Sequence, residues 1–126
     1  MNAPQYFEVL ADHARYDPVG QVSLQESVDL ISAAICHAAE QDIKRLLVNV
    51  TGLVGLGAPE TFDRYFLSER FAKDSKRVMK MVLVAGPELI DRDKFGVTVA
   101  RNRGLSSNIF SDEGEAVDWL LGGGLD

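Results

Sequence analysis

The chain has 126 residues, a length that suggests one domain able to bury a core without a disulfide or a metal staple. Apolar residues make up 46% and charged residues 25%, as is typical of an ordinary soluble globular protein. The net charge of −6 argues against nucleic acid or an anionic membrane as the main partner, because binding phosphate groups needs a positive field.

The sequence predicts a cytoplasmic protein without membrane insertion. No apolar run approaches the roughly 20 residues that a membrane-spanning helix needs. The first residues lack the basic start and apolar core of a signal peptide. The single cysteine, Cys36, excludes an internal disulfide. We expect one domain over residues 1–126, with an ordered core at 5–121 and a frayed tail at 122–126, and we predict no cofactor.

Strands and helices alternate along the chain in the predicted order ββαβαβαβα. Aromatic and branched residues or short apolar runs predict strands at 6–10, 14–17, 46–50, 79–85 and 107–110. Four main helices are predicted, at 23–38, 59–72, 91–103 and 111–121, the last beginning at Ser111 or Asp112. This alternation is typical of an α/β fold with a mostly parallel sheet, to which the first two strands add an antiparallel edge.

The first helix has the clearest signal. Residues 23–26, SLQE, match a capping box, in which Ser23 and Glu26 each satisfy the other's backbone amide. An apolar stripe then recurs at steps of four and three residues. It consists of Leu24, Val28, Ile31, Ile35 and Ala38.

A glycine-rich loop, NVTGLVGLGAPET at residues 49–61, carries most of the functional prediction. A Walker loop would need a lysine, and none lies between Lys44 and Lys73. A dinucleotide loop would need a third glycine where Glu60 stands, and that charge opposes phosphate. The loop instead leads into a helix that begins near Pro59. Its candidate contact residues are Leu53, Gly55, Leu56, Gly57, Ala58 and Pro59.

Four segments resemble the STAS domain, and more narrowly the SpoIIAA-like group of small stand-alone bacterial proteins. They are Gly20-Gln21-Val22, LLVNVTGL at 46–53, FGVTVARNRG at 95–104 and IFSDEGEAVDWL at 109–120. The resemblance covers nearly the full chain. It implies a STAS-like mixed sheet and a regulatory module that acts by binding a protein partner.

The resemblance also implies a phosphorylated serine in the loop after the strand at 46–50. The corresponding positions here are Gly57, Ala58 and Pro59, which carry no hydroxyl group. Thr61 is the nearest hydroxyl, inside the predicted helix. The chain therefore has the family's loop without the family's usual phosphoacceptor.

The predicted second helix carries large apolar residues on two opposite faces, although only one face can pack on the sheet. At 100° per residue, Leu67 and Phe71 fall opposite a cluster of Phe62, Tyr65 and Phe66. They could lie in the core, or they could contact a partner or ligand. A homodimer is the simplest such partner. The alternative is a carrier of a small apolar or amphipathic ligand, since STAS folds resemble the core of CRAL-TRIO lipid-transfer domains.

Other residues give weaker functional signals. Arg101 and Arg103 could bind an anion, or could only complement the end of a helix. Asp91 and Asp93 suggest helix capping rather than a metal site. The sequence has no G-x-S-x-G motif for a nucleophilic serine. The sequence therefore predicts a non-enzymatic interaction module first, a ligand carrier second and an enzyme third.

Overall fold

The structure is a computed structural model that describes residues 5–55, 70, 71, 73, 80–87, 90 and 106–122. Within these ranges the chain forms a five-stranded sheet, a two-stranded sheet and two helices with complete bounds. The strands are β1 (Phe7–Val9), β2 (Ala14–Tyr16), β3 (Gly20–Gln21), β4 (Arg45–Asn49), β5 (Leu53–Val54), β6 (Lys80–Val84) and β7 (Ser106–Phe110). The helices are α1 (Leu24–Glu40) and α2 (Glu113–Leu121).

The main sheet is mixed, with the strand order β1-β2-β4-β6-β7. β1 pairs antiparallel with β2, whereas β2 with β4, β4 with β6, and β6 with β7 pair parallel. The predicted α/β class and antiparallel edge are therefore confirmed. β3 and β5 form a separate parallel pair that the sequence analysis did not predict.

The predicted count of four helices is not supported by the described residues, which contain two complete helices. The third predicted helix, at 91–103, lies wholly outside these residues, and the second lies almost wholly outside them. Of its region only Arg70, Phe71 and the neighbouring Lys73 are described, and all three are helical. The count of four stays a prediction.

The capping box of α1 is confirmed. The Ser23 hydroxyl accepts a hydrogen bond from the Glu26 amide at 3.1 Å, and the Ser23 amide donates to Glu26 Oε1 at 2.9 Å. The predicted apolar stripe faces the core, because Val28, Ile31, Ile35 and Ala38 are all buried. The local sequence signal and the tertiary packing agree in this helix.

Side chains alternate between the two faces of the main sheet, as the pleat requires. On the α1 face, the core includes Ala14, Tyr16, Leu46, Val48 and Met81. On the α2 face, it consists of Leu47, Val82 and Val84 together with Ala116 and Leu120 of the helix. The central strands are therefore apolar on both sides, which explains their nearly continuous hydrophobic sequence.

Candidate functional site

The structure describes part of the predicted contact surface. Leu53 is buried and belongs to the α1-side core, whereas Gly55 is exposed. The remaining candidates lie outside the described residues: Leu56, Gly57, Ala58, Pro59, Leu67, Arg101 and Arg103. Leu53 therefore packs within the core of this chain, and its role as a contact residue stays a prediction.

Phe71, for which the sequence left both a core position and a contact position open, is buried in the core. Its side chain is 3% exposed and packs in the same cluster as Leu53. The neighbouring Arg70 is exposed and donates a 2.9 Å hydrogen bond to Asp29 of α1. The sequence alone could not show which apolar face of this helix meets the sheet, because both faces carry large apolar residues.

The two-stranded sheet stands at the start of the glycine-rich loop. β3 and β5 pair in parallel, with Gly20 opposite Leu53 and Gln21 opposite Val54. The Gly20 amide donates to the Gly52 carbonyl at 3.1 Å, and the Val22 amide donates to the Val54 carbonyl at 2.9 Å. These hydrogen bonds hold the strand that leads into the loop against the segment that leads into α1.

Two glycines allow this close approach. A Cβ atom at Gly52 would lie 2.8 Å from Val19 Cγ1 and 3.0 Å from the Pro18 carbonyl oxygen. Gly55 has φ +94°, and a Cβ atom there would lie 2.9 Å from the Val22 carbonyl oxygen. Larger residues would force the two strands apart or strain the backbone. These glycines therefore serve strand packing, for which no phosphate needs to be invoked.

Four exposed, uncharged residues lie in or beside this pair of strands, and we call them the β3·β5 surface: Val19, Gln21, Val54 and Gly55. Val19 is 56% exposed and Val54 is 58% exposed. Neither valine was predicted from the sequence. The sequence does contain a signal for an uncharged surface, because residues 18–25 and 50–59 contain no Asp, Glu, Lys, Arg or His.

A cluster of charged side chains links β2 to α2 just before the start of β3. Arg15 in β2 donates from Nε and Nη2 to the two carboxylate oxygens of Asp17, at 2.8 and 2.9 Å. Arg15 Nη2 also donates to Glu113 Oε1, at 2.6 Å. These carboxylates, Asp17 first, raise the pKa of the Arg15 guanidinium above its ordinary value. The cluster joins the middle of β2, and Asp17 just after β2, to the first residue of α2.

Glu113 also contacts Asn49, the last residue of β4, which lies shortly before β5. Asn49 Nδ2 donates to Glu113 Oε1 at 3.1 Å. Asn49 Oδ1 accepts from the Thr51 amide at 2.9 Å and from the Thr51 hydroxyl at 2.6 Å, which closes a tight turn after β4. Glu113 therefore connects the segments that enter β3 and β5.

The two histidines make separate contacts. His13 Nδ1 lies 2.7 Å from Asp12 Oδ1, and this hydrogen bond lowers the pKa of Asp12. The ring of His37 meets that of Phe7 edge-on, with the centroids 4.9 Å apart. Neither contact involves a hydroxyl nucleophile.

The described residues contain no group of three or more His, Cys, Asp or Glu side chains that could hold a metal ion. None of the helices described is both long enough and apolar enough to span a bilayer.

Comparison with known proteins adds no family assignment: no family model matches the chain, and a search of curated proteins finds no match.

Proposed function

We propose that this chain is a non-enzymatic protein-interaction module with a STAS-like fold, which pairs with a second copy of itself through the β3·β5 surface. The observation that carries the proposal is the exposure of Val19, just before β3, and of Val54 in β5, in two segments that contain no charged residue. Exposed apolar patches that exceed scattered single residues usually mark interaction sites.

The fold part of the proposal rests on the sheet and the sequence segments together. An antiparallel edge strand precedes strands that are added in parallel and in chain order. α1 and α2 cover opposite faces of that sheet. The four segments that resemble STAS domains supply the rest of the argument, and a regulatory role is proposed on that resemblance.

A second copy of the chain suits this surface because the surface carries no charged residue. Two molecules with a net charge of −6 repel each other, and any contact between their acidic surfaces would oppose association. The β3·β5 surface lets two copies meet without placing like charges opposite one another. In a two-fold symmetric dimer the same patch serves both subunits, so one apolar surface is sufficient.

Sedimentation velocity tests the proposal. The native chain should sediment as a dimer that dissociates on dilution, and Val54→Glu should shift it to monomer, because the symmetric contact then brings two carboxylates together. Val9→Glu is the matched control, since Val9 lies in the edge strand β1 and is 64% exposed. This variant adds the same charge at a different surface, and it should sediment like the native chain.

Two results would contradict the proposal. One is a native chain that stays monomeric at all concentrations tested. The other is dissociation caused by Val9→Glu and not by Val54→Glu, which would place the contact at the free edge of β1. Circular dichroism of each variant shows whether a change in sedimentation comes from unfolding.

A further inference from the structure

We infer that Glu113 and Asn49 are positioning residues that hold the β3·β5 surface in the geometry a partner binds. This inference rests on the proposed function of that surface. Neither residue belongs to the surface. Glu113 begins α2, and Asn49 ends β4.

Both strands of the surface depend on short anchoring segments. β3 begins three residues after Asp17, and β5 begins four residues after Asn49. Each of these strands is only two residues long, and within the described residues β3 and β5 pair only with each other. So short a pair is marginal alone, and its anchors fix where it stands.

One carboxylate oxygen, Glu113 Oε1, joins these two anchoring segments. Glu113 Oε1 accepts from Arg15 Nη2 at 2.6 Å and from Asn49 Nδ2 at 3.1 Å. Arg15 in turn holds Asp17 through two hydrogen bonds. Because this network is part-buried and charge-assisted, it is stronger than an ordinary surface contact.

The side-chain amide of Asn49 has a fixed orientation. Its oxygen accepts twice from Thr51, so its nitrogen must face Glu113. An aspartate at this position would keep the turn with Thr51 but would set a second carboxylate against Glu113. Asn49→Asp therefore removes the hydrogen bond to Glu113 in α2 and keeps the local turn with Thr51.

Amide hydrogen exchange on the dilute, monomeric chain tests the inference without needing any partner. Glu113→Ala removes both hydrogen bonds to this carboxylate, from Arg15 and from Asn49. The amides of Gly20, Val22 and Leu53 should then exchange at least about tenfold faster, since the loss of even one hydrogen bond to a charged group corresponds to about that factor. The amides of β6 should show a smaller increase, because the main sheet keeps its own ladder. Asn49→Asp should act in the same direction.

Glu115→Ala is the matched control. Glu113 and Glu115 both lie in the acidic first turn of α2, so both substitutions remove the same charge from the same helix end. In Glu115→Ala the exchange of the three amides should remain as in the native chain. Self-association by sedimentation should weaken in Glu113→Ala and stay unchanged in Glu115→Ala.

The outcomes separate this inference from the proposed function. Equal acceleration in β6 and in the three amides would mean a general structural role, and no acceleration would mean no role; either result overturns the inference. If the three amides accelerate selectively in Glu113→Ala but the native chain never dimerises, then Glu113 positions these strands while the proposed function fails.

Discussion

At the scale of single residues, burial decides what each side chain can do. Leu53 and Phe71 were predicted as contact residues, and both lie in the core. Val19 and Val54 lie outside the core and are exposed. In this region the sequence pattern singles out the glycines and not the valines. The hydrophobic character of a residue predicts that it packs against something, but only the fold decides whether that is its own core or another chain.

Tyr16 gives a pH prediction at this scale. Its ring is buried under α1, and burial raises the pKa of its hydroxyl, because the phenolate would be poorly solvated there. Below the ordinary pKa of tyrosine both states are protonated, so Tyr16 adds no pH dependence. At higher pH the unfolded chain ionises first, and the free energy of unfolding should fall by up to about 1.4 kcal/mol per pH unit.

Urea denaturation from pH 8 to pH 11 measures this effect. Tyr16→Phe removes the ionisable group and keeps the ring, so the slope above pH 10 should become shallower than that of the native chain. Identical slopes in the two proteins would show that the hydroxyl ionises equally in the folded and unfolded states.

At the scale of elements, the clearest predictions were those with several signals in one short window. α1 has a capping box and an apolar stripe, and both are confirmed. The five strands of the main sheet stand within one or two residues of their predicted bounds. β3 and β5 were missed because a two-residue strand shows no periodicity, and its existence depends on a partner far along the chain.

The α2 helix shows how the structure settles an alternative that the sequence left open. Asp112, and not Ser111, caps this helix, since its side chain accepts from the Glu115 amide at 2.9 Å. Both residues are good helix caps, so composition could not separate them.

Matched serine substitutions test the two assignments. Ser23→Ala should lower the free energy of unfolding by about 1 kcal/mol, because the Glu26 amide loses its acceptor. Ser111→Ala should change it by less than about 0.5 kcal/mol, since this exposed residue precedes the cap. Thermal or urea unfolding measures both, and a larger loss in Ser111→Ala would contradict the assignment of the cap.

At the scale of the whole molecule, charge and topology together define the candidate surface. The acidic composition was apparent from the sequence, as was the glycine-rich loop. The pairing of two distant charge-free segments was not, because residues 18–25 and 50–59 come together only through the β3·β5 pairing. Likewise, nothing in the local sequence around Glu113 indicates that it bonds Asn49, 64 residues away.

The most direct test of the account is a dilution series followed by two-dimensional amide NMR of the native chain. If two copies meet at the β3·β5 surface, the amide signals of Val19, Gln21 and Val54 should shift together as the protein is diluted, with one common dissociation constant. Signals from β1 and β6 should stay in place. Shifts confined to β1, or a spectrum that does not change with concentration, would contradict self-association through this surface.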